Sequence, residues 1–165
     1  MLIDTDVLST FAKVDRLDLL FKVFNRPELI VSEGVWREVK RGEERGFAFT
    51  QAILKLVEEG KLRILCIESE DLPFGMGLPT SLSLGELDSM CLCKRLGLPL
   101  ISNERRVKHH CEQNGILCIN LNAILRSLWR LGIINKDQVK ALMKEMEDKD
   151  RMTFKAVDEI FGDAL

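Results

Sequence analysis

Residues 82–106 read LSLGELDSMCLCKRLGLPLISNERR. Leu84 to Leu96 has the spacing of a helix, LPLIS (98–102) reads as a short apolar strand, and Glu104 to Gln113 as another helix. A strand framed by two helices belongs to a parallel sheet covered on both faces. Placed on a wheel at 3.6 residues per turn, Glu86 shares a side with Met90, Cys93 and Gly97. Asp88 falls nearly opposite, beside Arg95. The wheel therefore assigns Glu86 to an apolar stripe, as a candidate functional acid, and Asp88 to a solvated face. The competing reading of Glu86 is a helix-terminal acid that favours the macrodipole.

The same alternation continues outward in both directions. Residues 1–4 read as a strand, and Ser9 to Phe24 as one or two helices. ELIVS (28–32) is a second strand, and Ser32 is positioned to cap a helix reaching about Lys40. An amphipathic helix is expected over 46–62, a third strand at LRILCI (62–67), and a loop at PFGMGLP (73–79). ILCIN (116–120) is the last strand, and the chain from Leu121 onward reads as helical to its end. The expected fold is an α/β/α sandwich around a central, mainly parallel sheet. It forms one domain over 1–165, with 121–165 as a helical C-terminal extension.

Ligands of open α/β sheets lie outside the carboxyl ends of the strands. Asp4 follows the first strand, and Ser102, Asn103 and Glu104 follow LPLI. In the helix after Ser32, Glu33 pairs with Arg37 at i+4, whereas Glu38 lies at the edge of the stripe carrying Val35 and Val39. Asp4, Glu38, Glu86 and Glu104 thus form a carboxylate set with no accompanying catalytic serine or cysteine pattern. Hard oxygen donors of this kind suit Mg²⁺ or Mn²⁺. Clustered acids repel one another, and a cation compensates them. The reaction class this suggests is metal-assisted phosphodiester hydrolysis.

The ordered segments IDTDVLS, IVSEGVWREV and LSLGELDSMCLCKRLGLPLISNERR resemble the PIN domain, the fold of the ribonuclease toxins of prokaryotic toxin–antitoxin pairs. The resemblance runs from Met1 to about Asn120, and the tail resembles a subgroup with an added C-terminal helical segment. It implies a nuclease cutting single-stranded RNA with Mg²⁺ or Mn²⁺, an antitoxin protein as partner, and a homodimer. Carried over, the family's acids fall on Asp4, Glu38, Glu86 and Glu104, with Asp4, Glu86 and Glu104 as metal ligands. Asp6 and Ser102 take supporting positions, Asp6 orienting Asp4 or its water. Glu stands at two positions where the family's usual acid is Asp.

Two basic clusters, Arg37, Lys40, Arg41 and Arg45, then Arg105, Arg106 and Lys108, follow proposed ligands. Among them Arg37, Lys40, Arg105 and Arg106 are expected to steer an RNA backbone; the alternative is a solvated helix face. No aromatic stacking platform is expected, because Tyr is absent and the Phe residues sit at apolar helical positions. His110 is expected in the core beside Val107 and Cys111, and CLCK lacks zinc spacing. Phe154, Val157, Ile160 and Phe161 form a terminal stripe expected to dock on the same domain.

Five cysteines, without a secretory signal, argue for reduced thiols in the cytoplasm, and no run is long enough to span a membrane. The net charge of −2 exerts no global pull on nucleic acid. DTDVL also fits the opening acid pair of haloacid-dehalogenase-type phosphatases, but their later acid loop is missing after ILCIN. A third alternative is a non-catalytic PIN-like binding or regulatory module.

Overall fold

The computed structural model describes residues 1–162. Five apolar runs become strands: β1 (Leu2–Ile3), β2 (Leu29–Ser32), β3 (Leu62–Leu65), β4 (Leu100–Ile101) and β5 (Cys118–Ile119). All pairings are parallel, in the order β3-β2-β1-β4-β5. Side chains alternate between the two faces of such a sheet. Leu2, Ile30 and Leu100 accordingly enter one apolar cluster, and Ile3, Leu29, Val31 and Ile101 the other.

Helices cover both faces. α1 (Thr5–Lys13), α2 (Asp18–Phe24), α3 (Glu33–Glu44) and α4 (Thr50–Glu58) contribute to the larger cluster, joined by α8 (Leu121–Arg130), α9 (Lys136–Asp150) and α10 (Val157–Phe161). α6 (Leu84–Leu96) and α7 (Arg105–Gln113) fill the smaller one. Most of the terminal stripe docks intramolecularly: Ile160 is fully buried, its carbonyl accepts from Trp129 Nε1 at 2.8 Å, and Phe154 and Phe161 pack beside it, whereas Val157 is exposed.

The order of strands reverses at β1, with β2 and β3 on one side and β4 and β5 on the other. The chain must therefore leave β1 and β4 in different directions, and a crevice opens beyond their carboxyl ends. Asp4 and Ser102 are the residues that follow those two strands. The Asp4 N–H donates to the Ile101 carbonyl at 2.9 Å, which holds the two ends side by side.

α3 and α6 cross closely at Gly34 and Gly85. A Cβ on Gly34 would stand 2.8 Å from the Leu84 carbonyl oxygen and 2.9 Å from Gly85 Cα. Only residues without side chains permit that approach. The Ser32 hydroxyl caps α3 by accepting from Val35 N–H at 3.2 Å, as its position suggested.

Several expectations are corrected. Asp88 is not on a solvated face: it is buried, 5% exposed, and its Oδ2 accepts from Gly34 N–H at 3.1 Å. The wheel assumed one covered side, whereas α6 is packed by α3 as well as by the sheet. Arg95 likewise turns to the buried Asp71, at 2.9 Å. His110 is half-buried at the rim, with Nδ1 3.3 Å from Gln113 Oε1; Val107 and Cys111 alone fill that part of the core. Residues 73–79 are not all loop. A 3-10 turn at Ser69–Asp71 leads into the short helix α5 (Leu72–Met76), because Pro73 lies in the first turn, where its missing N–H costs nothing. The tail is interrupted too: α9 stops at Asp150, Arg151 is left-handed (φ 51°), and 151–156 are not helical. The expected helix end at 163–165 lies outside the described residues.

Candidate functional site

Asp4 forms the floor of the crevice. It caps α1, with Oδ1 accepting from Thr5 N–H at 2.8 Å, and Oδ2 accepts from the Ser102 hydroxyl at 3.1 Å. Ser102 in turn accepts from Glu104 N–H at 3.3 Å. Asp4 is 4% exposed. Burial first, and then the charge of Asp6, push its carboxyl from 3.8 up to about 7; Glu38 adds to this, while the Thr5 and Ser102 bonds oppose it. In the absence of a compensating charge, Asp4 therefore holds a proton near neutral pH.

Asp6 lies in the first turn of the same helix. Its Oδ1 accepts from Val7 N–H at 2.7 Å and its Oδ2 from Asn103 N–H at 2.9 Å. Its carboxyl is raised to about 6, by burial first, with the charges of Glu104 and Glu86 adding to the effect. Asp6 thus ties α1 to the turn after β4, and the hydrogen bond that orients Asp4 comes from Ser102.

Glu38 and Glu86 reach the crevice from the glycine crossing. The Glu38 carboxylate accepts from the Thr5 hydroxyl through Oε2 and from the Ser83 hydroxyl at 3.4 Å through Oε1. Gly85 leaves room for it, since a Cβ there would stand 2.8 Å from Glu38 Oε1. Glu86 completes a capping box: Ser83 N–H donates to Oε2 at 2.6 Å, and Glu86 N–H donates to the Ser83 hydroxyl at 3.2 Å. Its Oε1 is 3.5 Å from the Arg106 guanidinium. Glu86 is both the helix-capping acid and a neighbour of the cluster.

Glu104 is exposed at the start of α7 and borders a cavity of about 310 Å³ shared with Arg105 and Lys108. Arg106 also donates to the Ser81 carbonyl at 2.9 Å, which fixes it beside Glu86. Arg37 and Lys40 are instead engaged in surface pairs, Arg37 with Glu33 at 2.6 Å and Lys40 with Glu43. The acids are linked in pairs: Asp4 feels the charges of Asp6 and Glu38, and Asp6 those of Glu104 and Glu86, while Arg106 stands beside Glu86 and Arg105 lines the same cavity as Glu104.

Sequence reading placed Asn103 at a strand end but missed the contacts of Thr5, Ser83 and Asn103. Ser83 carried a usable signal, because serine three residues before Glu86 is capping-box spacing. Thr5 and Asn103 carried none, since their roles exist only once β1 and β4 are neighbours. A fourth omission is Phe47, which is 47% exposed and stacks on Phe49 with ring centroids 5.8 Å apart. Phe47 is thus an exposed ring rather than one at an apolar helical position, and the FAF run precedes α4.

The chain's relationship can now be stated. The model of the DUF3368 family, a PIN domain, matches residues 1–160. The chain belongs to the PIN-domain family. No curated protein matches its sequence. PIN domains are in general nucleases, and in this one Asp4 stands at the sheet's switch point. Among the described residues, no group of three or more His, Cys, Asp or Glu side chains stands close enough to hold a metal ion as placed. The donors still suit a hard cation in kind: all are carboxylate oxygens, and burial raises the most buried to about 7. Among the same residues, no helix is long and apolar enough to cross a membrane.

Proposed function

We propose that this PIN domain is a metal-dependent ribonuclease that hydrolyses phosphodiester bonds of single-stranded RNA. The observation that carries the reading is Asp4, buried at the switch point beside other acids with its carboxyl raised to about 7. A pocket of this kind takes up positive charge, as a proton or as a cation. Asp4, Glu86 and Glu104 would hold Mg²⁺ or Mn²⁺, with Glu38 close by. Such an ion, when bound, supplies charge neutralisation at a phosphoryl oxygen and a water of lowered pKa.

The chain's own residues do the rest. Ser102 and Thr5 N–H fix the two oxygens of Asp4, so the carboxylate is oriented before any ligand arrives. Thr5 and Ser83 hold Glu38 in the same way. Arg106, anchored on the Ser81 carbonyl, sets a positive charge beside Glu86, where an RNA phosphate would approach. Asp6 keeps the turn after β4 in register with α1.

Within this reading the chain acts as the toxin of a toxin–antitoxin pair, as a cytoplasmic homodimer restrained by a protein partner; sequence resemblance is what supports that extension. Family membership favours the nuclease over the phosphatase alternative.

The test is calorimetric titration with Mn²⁺ of the wild type, Asp4→Asn, Glu86→Gln and Asp88→Asn, followed by cleavage of single-stranded RNA. Gln also completes a capping box, so Glu86→Gln removes charge while leaving the helix start intact. Wild type and Asp88→Asn are expected to bind, and the other two to bind about ten-fold more weakly or worse. Binding by Glu86→Gln equal to wild type would refute the ligand assignment. Absence of binding throughout would make a non-catalytic PIN-like module the better account.

A further inference from the structure

Residues 41–50, RGEERGFAFT, run from the end of α3 through the connection at 45–49 to the first residue of α4. The turn is well fastened: Phe47 N–H donates to the Gly42 carbonyl at 3.0 Å, and the Phe47 carbonyl accepts from Thr50 N–H at 3.2 Å and its hydroxyl at 2.6 Å. Gly46 takes the left-handed conformation (φ 78°) that the turn requires. Phe49 packs against the main apolar cluster, with the Lys13 ammonium 5.0 Å from its ring centre. Phe47 lies on it at an interplanar angle of 17°, its own ring half exposed.

A single exposed phenylalanine is ordinary. This one lines a cavity of about 240 Å³ with other walls formed by Arg41, Arg45, Thr5 and Glu38. Gly42 lies beneath the ring, where a Cβ would stand 3.4 Å from Phe47 Cδ2. Arg41 and Arg45 are exposed and form no ion pair within 4.0 Å among the described residues, whereas neighbouring Lys40 and Arg37 are paired. The inner end of the cavity is the Thr5–Glu38 pair of the acid cluster.

We propose that this cavity is a nucleobase subsite: Phe47 stacks an unpaired base of a single-stranded nucleic acid, while Arg41 and Arg45 take its flanking phosphates and lead the next phosphodiester to the carboxylates. The inference rests on the nuclease reading and adds the substrate's mode of recognition. An aromatic face takes any base, so the subsite selects for single strands rather than for sequence. In a duplex that face is covered by stacking. A second copy of the chain is a poorer occupant, because among the described residues no other exposed large apolar side chain lines this cavity.

The experiment is fluorescence anisotropy of a labelled twelve-nucleotide single-stranded RNA with the full chain, without divalent ions so that nothing is cleaved. Phe47→Ala is expected to weaken binding about 5- to 100-fold at unchanged Tm, and Phe47→Trp to restore it. An abasic oligonucleotide should bind wild type and Phe47→Ala alike. Arg41→Gln and Arg45→Gln should each lower the slope of affinity against salt by about 0.7. Wild-type cleavage in Mn²⁺, with Phe47→Ala unaltered in both affinity and KM, overturns the subsite and leaves the nuclease reading intact. Absence of RNA binding by wild type overturns both. Conversion of a wild-type dimer to monomer by Phe47→Ala, with RNA affinity unchanged, assigns the face to a second copy and also overturns the subsite.

Discussion

Replacing Asp4 by Asn should stabilise the metal-free protein at alkaline pH while at least halving its stabilisation by Mn²⁺. The Asp4 carboxyl stands at 3.8 in an unstructured chain and about 7 in the fold, so between those values the folded state binds the extra proton. Stability therefore falls as pH rises across that interval, and the loss is complete above the folded value. At about 1.36 kcal/mol per pH unit, the wild type loses about 2.5 kcal/mol through Asp4 between pH 5 and pH 8. For a chain of this size that is a fall in Tm of about 5–10 °C. Asn keeps an oxygen for Thr5 N–H and can donate its amide N–H to the Ser102 hydroxyl oxygen, so the variant loses charge without losing contacts. The assay is differential scanning calorimetry of both proteins in EDTA at pH 5 and pH 8, repeated with Mn²⁺. Mn²⁺ at about a hundred times the wild-type Kd returns about 2.7 kcal/mol to the wild type at pH 8 and about 1.4 kcal/mol or less to Asp4→Asn. A wild-type Tm that holds level from pH 5 to pH 8, parallel to Asp4→Asn, would refute the buried-acid argument.

The glycine crossing separates stability from function. Gly34→Ala meets backbone on α6 and should cost about 1–3 kcal/mol by chemical denaturation. Gly85→Ala meets the movable end of Glu38, gains about 1 kcal/mol of helix propensity, and should leave stability near wild type while weakening Mn²⁺ binding about ten-fold. Asp88 carries a buried Oδ1 with no partner, and burial raises its carboxyl above the usual range. Asp88→Asn should therefore raise Tm at pH 8 by about 2–4 °C, for about 1 kcal/mol, and by less as the pH is lowered, with RNA cleavage unaltered.

The strand-ending acids were the most readable part of the site. Asp4 and Ser102 each follow an apolar run, and their meeting follows from the strand-order reversal once the sheet is parallel. Glu86 does lie near Asp6, but not for the reason the wheel gave. Glu86 faces the crevice because α6 begins there, not because the opposite side of α6 is solvated, and Asp88 is as buried as Glu86. A wheel reports one period and says nothing of how many neighbours surround the helix. The contacts from Thr5 to Glu38, 33 residues apart, and from Asn103 to Asp6, 97 apart, depend on tertiary adjacency that no local pattern encodes. Phe47 was overlooked for the opposite reason: its role depends on the ring's exposure in a turn, and hydrophobic patterning assigns every ring to the core.

What distinguishes this crevice from a merely polar helix end is that its acids are arranged at a cost to the fold. A cap needs one oxygen near one N–H, and Asp4 meets that need through Oδ1 alone. Nothing in capping requires Asp6 to sit close enough to raise Asp4 further, or Gly85 to omit a side chain where Glu38 enters. Each feature brings negative charge closer to negative charge in a buried place, which lowers stability in the protein by itself. Apolar residues at Asp6 and Glu38 would relieve the repulsion and extend the neighbouring cluster, which already includes Val7 and Val39. The arrangement becomes favourable only when positive charge enters from outside, and the exposed arginines at both borders of the acid cluster lie where a polyanion accompanying that charge would run.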